Sequence, residues 1–242
     1  MHRLMVDSCS LESGVPALSR EAERHLKVIR LKEGELLELF DGAGAARMCR
    51  REGGSLVFAS PVKRFPRPHQ LTLFACITKG ARWDWTIEKA TELGVGRIVP
   101  VVSDRTIVRI SRDERAAKRE RWLKIAQEAA RQSDAKWVPE VLLPVDFGDS
   151  IEMVRENVCF VGALTDPMPK PIGAVLGSVS DGDLKNGVSV YVGPEGDFTP
   201  EELKALLDVA LPASFGSTIL RAETAAIYAI SAVKARLDTI GD

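Results

Sequence analysis

From residue 71 onward the apolar residues follow two alternating patterns, and that alternation predicts an α/β fold. Short unbroken apolar runs, LTLFACI (71–77), RIVPVV (97–102), VCFVGAL (158–164) and VSVYV (188–192), have the length of buried strands. Between them the apolar spacing widens to that of a helix. Trp83, Ile87 and Ala90 recur at i, i+4 and i+7, and Gly94 is placed to end that helix. A longer helix is predicted over 113–132 with Trp122, Ala126 and Ala129 inward, and a last one from about 223 with Ala226, Ile230, Val233 and Leu237 on one stripe. Strands that alternate with helices imply an open, mainly parallel sheet.

The first 65 residues read differently. ELLELF (35–40), the turn DGAG, then ARMCR, EGG and SLVFAS are short strands joined by glycine turns, as in a small barrel. HLKVIRL (25–31) fits a helix or a strand equally well. SPVKRFPRPHQ (60–70) holds three prolines and three basic residues with no apolar period, and is the predicted linker.

Composition narrows the class. At 242 residues, 45% hydrophobic and 28% charged, the chain has the make-up of a soluble globular protein. No apolar run reaches the roughly 18 residues of a spanning helix, and the amino terminus lacks the apolar stretch of a secretory signal. Cys9, Cys49, Cys76 and Cys159 are scattered, as are His2, His25 and His69, so neither a disulfide framework nor a metal site is expected and a reducing cytoplasm is. The net charge of −1 conceals an asymmetry: residues 1–131 hold 25 Lys/Arg against 17 Asp/Glu, residues 132–242 hold 8 against 17. A basic front half points to a polyanionic partner.

Ligands of open α/β sheets bind beyond the carboxyl ends of strands. Two segments there have unusual content. YVGPEGDFTPEEL (191–203) places Gly193-Pro194-Glu195-Gly196 between a strand and a helix whose start, Thr199-Pro200 with Glu202, is a capping box. FGSTILRAETAA (215–226) places Gly216 ahead of Arg221, Glu223 and Thr224 at a helix start. No GxGxxG follows a strand and no GxxxxGK[ST] occurs, so the Rossmann and P-loop readings lose their main support. A phosphate-binding use of GPEG conflicts with Glu195 and Asp197, whose charge repels phosphate.

Taken together, VGPEG and, some 25 residues on, ILRAETA resemble the closing signatures of the RsmE family. HLKVIRLKEGELLELFDGAG, TKGARWDWTIEKATELGVGRIVPVVSDRT and RWLKIAQEAARQS extend the resemblance over nearly the whole chain. It implies a SPOUT-class methyltransferase acting on N3 of a uridine in 16S ribosomal RNA, or in the small ribosomal subunit. The implied architecture is a PUA-like β-barrel over 1–65 that grips RNA and a trefoil-knot domain over 71–242. That domain would bind S-adenosylmethionine and form a cytoplasmic homodimer through the knot, with no metal and no membrane contact.

The resemblance also assigns residues. Gly193, Pro194, Glu195 and Gly196 form one wall of the cofactor pocket, with glycines where a side chain would occupy the ligand's space. Gly216 and Ile219, with Leu220, Thr224 and Ala225, form another; Ala163, Leu164 and Thr165 close a third side. Arg221 is expected to stabilise the negative charge that spreads over O2 and O4 when uridine N3 loses its proton; the alternative is an ion pair with Glu195 or Glu223. Glu223 is the candidate base, with a cap on the last helix as its favoured role. Arg30, Lys79, Arg112, Arg115, Lys118 and Arg119 are expected to meet RNA phosphates. Trp83 and Trp85 suit either base stacking or, preferably, the core.

Three departures stand out. Asp197 replaces a usual second glycine, Ser217-Thr218 replace Pro-Arg, and Gln132-Ser133-Asp134-Ala135 lacks an arginine. Asp197 supports the rival expectation of a non-catalytic RNA-binding assembly factor.

Overall fold

The computed structural model describes residues 1–68, 70–155 and 157–241; His69, in the predicted linker, lies outside them. The chain divides into two compact units, Met1–Pro68 with Gln127–Val138, and His69–Ala126 with Pro139–Asp242.

The first unit begins with β1 (His2–Met5), α1 (Ser8–Glu12) and α2 (Arg20–Ile29). HLKVIRL is therefore mostly helix. The Ala22 amide donates to the Ser19 hydroxyl at its start, and Arg30 closes it at φ 52. β2 (Leu36–Phe40), β3 (Ala45–Glu52), β4 (Ser55–Phe58) and β5 (Lys63–Arg64) follow. β1 pairs parallel with β2, β2–β3 and β3–β4 are antiparallel, and β5 adds to β3. Among the described residues no ladder joins β4 or β5 back to β1, so the predicted small barrel is an open sheet here. Part of the predicted linker is strand: Lys63 and Arg64 pair with Ala46 and Ala45.

The DGAG turn is explained by its surroundings. Asp41 Oδ1 accepts from the amides of Ala43 (2.8 Å) and Ala45 (2.9 Å), and Gly44, at φ 93, lies against the Trp137 indole where a Cβ would collide. Leu4, Leu11, Leu37, Leu39 and Cys49 form the core of this unit. Arg3 is buried beside them. Its Nε donates to Glu38 (2.6 Å), and its Nη groups donate to the carbonyls of Ala130 (2.8 Å) and Ala135 (3.0 Å). Lys136 Nζ completes the network on Glu38 at 2.7 Å. A segment more than a hundred residues away in sequence is thus tied to β1 by charge-assisted bonds.

The second unit comprises β6 (Leu71–Cys76), α3 (Ala81–Glu92), β7 (Arg97–Val102), α4 (Arg112–Gln132, which passes into the first unit from Gln127), β8 (Glu140–Val141), β9 (Val145–Asp146) and α5 (Phe147–Val154). Then come β10 (Val158–Gly162), α6 (Ile172–Leu176), α7 (Asp181–Asn186), β11 (Val188–Val192), α8 (Pro200–Leu207), β12 (Leu211–Ala213) and α9 (Ala222–Ile240). The sheet order is β12-β10-β11-β6-β7-β8, with β9 also on β7, and every pairing is parallel. The apolar runs read as strands are the four central ones. Phe74 stacks on Tyr191 at 5.5 Å and packs with Phe198, Leu206 and Val154; the Tyr191 hydroxyl shares a 2.7 Å hydrogen bond with Ser150. α3 and α9 pack on each other, with Trp83, Ile87 and Ala90 of one and Ala226, Ile230 and Val233 of the other buried. Trp83 is 2% exposed and edges against Trp122 at 5.6 Å, so it is a core residue and not a stacking platform.

Candidate active site

β12, β10 and β11 are neighbours in the sheet and run the same way, so the loops that follow them open at one edge. They enclose a cavity of about 300 Å³. Of the residues expected there, Ala163, Leu164, Gly193, Pro194, Glu195, Gly216, Ile219, Leu220 and Ala225 line it, and so does Arg221. Gly196, Thr165 and Thr224 do not. Thr165 turns its hydroxyl to the Pro167 carbonyl (2.9 Å), and Gly196 gives its carbonyl to Arg105 (3.0 Å). Gly162, Val192, Asp197, Ser214, Phe215, Thr218 and Ala222 complete the lining.

The reason for Gly193 differs from the expected one. A Cβ there would lie 2.8 Å from the Phe198 ring, a 4%-exposed core residue, so glycine admits the ring rather than the ligand. Gly162 does the same for Phe215. Asp197 occupies the left-handed region at φ 59, which accounts for a glycine being usual at this place. Aspartate is tolerated there because it bonds locally: Oδ1 accepts from the Phe198 amide at 2.8 Å, and its own amide closes a turn onto the Pro194 carbonyl at 3.0 Å. The loop keeps its form without the second glycine.

α8 begins with the anticipated capping box, and its Glu202 does more than cap. One oxygen takes the Thr199 amide (3.0 Å), the other the Asp104 amide at the end of β7 (2.9 Å). The GPEG loop is therefore pinned at its far end.

Arg221 stands at the N-cap of α9, exposed, with no ion pair among the described residues. Arg82, at the start of α3, takes the bracing role instead. Its Nη1 is ion-paired with Glu195, and its Nε is 3.8 Å from Glu223 Oε1. Glu223 lies in the first turn of α9, nine-tenths buried, and makes no side-chain capping bond. The favoured cap is thus electrostatic only, a carboxylate near the helix's positive end. Arg82 was missed in the sequence; its one signal was a basic residue beside the carboxyl end of the central strand.

The basic helix is partly committed to internal bonds. Arg115 donates to the Pro144 carbonyl (3.0 Å) and pairs with Asp146; Arg119 donates to the Val141 carbonyl (2.8 Å). Both hold the short strands β8 and β9, so part of each guanidinium is used within the protein. Arg112 and Lys118 have no ion pair among the described residues, and Arg30 and Lys79 are exposed.

Nucleophilic cysteine chemistry finds no support in the buried thiols: desolvation pushes Cys76 up to about 12 and Cys49 up to about 11, and raises Cys159 further. Among the described residues no cluster of three His, Cys, Asp or Glu side chains could hold a metal, and no helix is long and apolar enough to cross a membrane.

Comparison with known proteins agrees with this geometry. Residues 65–234 match the family described as RNA methyltransferase domain. The ribosomal RNA small subunit methyltransferase E of Synechocystis sp. is 29% identical over 238 residues, covering 95% of this chain and 75% of that one. That of Bacillus subtilis is 29% identical over 221 residues, covering 88% and 86%. Among solved structures, a ribosomal RNA small subunit methyltransferase E from Neisseria gonorrhoeae bound to S-adenosyl methionine superposes with a TM-score of 0.77 at 27% identity, covering 98% of each chain. A Legionella pneumophila structure, described as a methyltransferase candidate with bound cofactor SAM, gives 0.72 at 30% identity over 90% of each. With its cavity built from the two signature segments, this chain belongs to the RNA methyltransferase family, in the RsmE group.

Proposed function

We propose that the protein transfers a methyl group from S-adenosylmethionine to N3 of a uridine in 16S ribosomal RNA. The observation that carries this reading is the cavity where β10, β11 and β12 end, lined by both GPEG and ILRAETA segments. Its walls suit the cofactor. Ala163, Leu164, Pro194, Ile219 and Leu220 offer apolar contact to an adenosine, and Asp197 adds a carboxylate to the lining beside the Glu195–Arg82 ion pair.

When bound, S-adenosylmethionine supplies a methyl group already activated on a sulfonium. The protein's contribution is alignment and charge. Arg221 opens into the cavity with its guanidinium uncommitted, positioned to stabilise the anion of an N3-deprotonated uridine. Asp197 fits its backbone position, so it gives no support to a non-catalytic reading.

The trefoil knot and the homodimer belong to the same proposal, as do cytoplasmic location and an RNA-gripping, PUA-like role for the first unit. Leu164 and Ile219, 57% and 84% exposed at the cavity, and Tyr228 on α9 are an apolar set that a second copy would cover. Titration calorimetry with S-adenosylmethionine tests the core of the reading: one site per chain is expected, followed by N3 methylation of a 16S fragment. A protein that binds RNA but not the cofactor would overturn it.

Phosphate contact should reside in the side chains not used internally. Replacing Arg112, Lys118 and Lys124 (the last exposed on α4 with no ion pair among the described residues) together by alanine should reduce the slope of log RNA affinity against log salt by about 2, from roughly 0.7 per phosphate contact on single strands. An unchanged slope would mean that this helix face is merely solvated.

A further inference from the structure

Beside the cofactor cavity lies a second, open hollow of about 410 Å³, lined by Ala81, Arg82, Trp85, Glu223 and Thr224. The two are joined through the Arg82–Glu195 ion pair, since Glu195 lines the first and Arg82 the second. They are also joined along the chain, because Arg221 and Ala222 face the cofactor cavity and the next two residues face the hollow.

Three features of this hollow are unusual. Trp85 is 41% exposed, whereas its neighbour Trp83 is core. Glu223 is nine-tenths buried, yet neither of its carboxylate oxygens accepts a hydrogen bond among the described residues; Oε2 is fully enclosed and Oε1 stands 3.8 Å from Arg82 Nε, beyond bonding distance. A buried acceptor without a donor is costly, and Oε1, unlike the enclosed Oε2, is the oxygen that a donor entering the hollow would meet. Arg82 directs Nη1 to Glu195 and Nε toward Glu223, and its Nη2 makes no hydrogen bond among the described residues. The hollow thus combines a flat aromatic surface, one acceptor and one donor.

We propose that this hollow receives the target base, stacked on Trp85, and that Glu223 and Arg82 read its imide edge. The inference rests on the methyltransferase reading above and assigns the substrate subsite. A base displaced from its stack is held on an aromatic ring, where each such stack contributes in a sequence-tolerant way. Sequence is then read at the edge. Uracil presents an N3–H donor flanked by carbonyl oxygens, which match Glu223 and Arg82. Cytosine presents an N3 lone pair to the same carboxylate, and the two acceptors repel. The residue that orients N3 is therefore also the residue that selects uracil.

The test uses the full-length protein, a 16S fragment carrying the target uridine, and the same fragment with cytidine there. Trp85→Ala should lower kcat/KM for RNA by about 10- to 100-fold, the range for loss of one base–aromatic stack, while the Kd for S-adenosylmethionine stays within about twofold. Trp85→Phe should restore most of the loss. Glu223→Gln should narrow the preference for the uridine over the cytidine fragment in competition binding. Undiminished kcat/KM in Trp85→Ala, in a wild type that does methylate N3, would overturn the docking assignment alone. So would conversion of Trp85→Ala to a different oligomer by light scattering with RNA binding lost only in proportion, because Trp85 would then belong to a protein interface. A wild type that binds cofactor and RNA yet leaves N3 unmethylated would instead remove the underlying reading.

Discussion

Arg221→Ala is expected to lower the single-turnover rate of N3 methylation by about 100-fold or more, the range for removal of one preorganised charge-stabilising donor. Cofactor affinity should change far less, because the developing charge is on the RNA base. Arg221→Lys should recover only part of the rate, since an ammonium keeps the charge and loses the planar fork. Raising the pH should partly rescue the alanine variant, as the uridine then loses its proton more readily without help. The competing role, a brace for Glu195 or Glu223, is taken in the structure by Arg82, which leaves the Arg221 guanidinium uncommitted. If cofactor affinity and rate fell together, and alkaline pH restored neither, Arg221 would be a brace after all.

Gly193→Val should damage the cavity and the fold together. Its Cβ would press on the Phe198 ring at 2.8 Å, and that ring packs edge-on against Tyr191 (5.7 Å) within the main core. Overpacking of this kind costs about 1–3 kcal/mol, a drop of roughly 2–12 °C in Tm for a chain of this size. Displacing the loop that lines the cavity should weaken S-adenosylmethionine binding by at least about 10-fold (about 1.4 kcal/mol of contact). Gly196→Ala is the control: its Cβ would sit 3.6 Å from Arg105, an ordinary contact, so stability and affinity should both hold. Normal Tm and affinity in Gly193→Val would remove Gly193 from the cavity wall.

The four central strands and the helices α3, α4, α8 and α9 were legible because each buries a continuous run or a regular stripe, and burial imposes the pattern locally. The start of α8 was legible to the residue, since its capping box is made by neighbours in sequence. β1, β8, β9 and β12 were not. They have two to four residues each, too few for a period to show, and each becomes a strand only through its partner. Pro212 can sit in β12 because that strand forms the sheet edge. Gln127–Val138 belongs with the first unit, although it follows the second unit's helix without a break in pattern; Arg3 and Lys136, bonded around Glu38, decide this.

The candidate site divides along the same line. Which loops form it was contained in the sequence, because strand ends and glycine-rich turns are local features and the GPEG and ILRAETA segments are specific in combination. Their convergence follows from the order β12-β10-β11, in which strands distant in the chain become neighbours. The division of labour among the charged residues was decided by tertiary structure alone. Arg115 and Arg119 look like the rest of a basic helix face until β8 and β9 accept their hydrogen bonds. Arg221 and Arg82 are both arginines near a helix start, and only the placement of Glu195 and Glu223 leaves one committed and the other available. Periodicity and turn chemistry act over a few residues and so are written along the chain. The partner of a charge is whatever the fold brings within a few ångströms, and that distance exists only once the chain has folded.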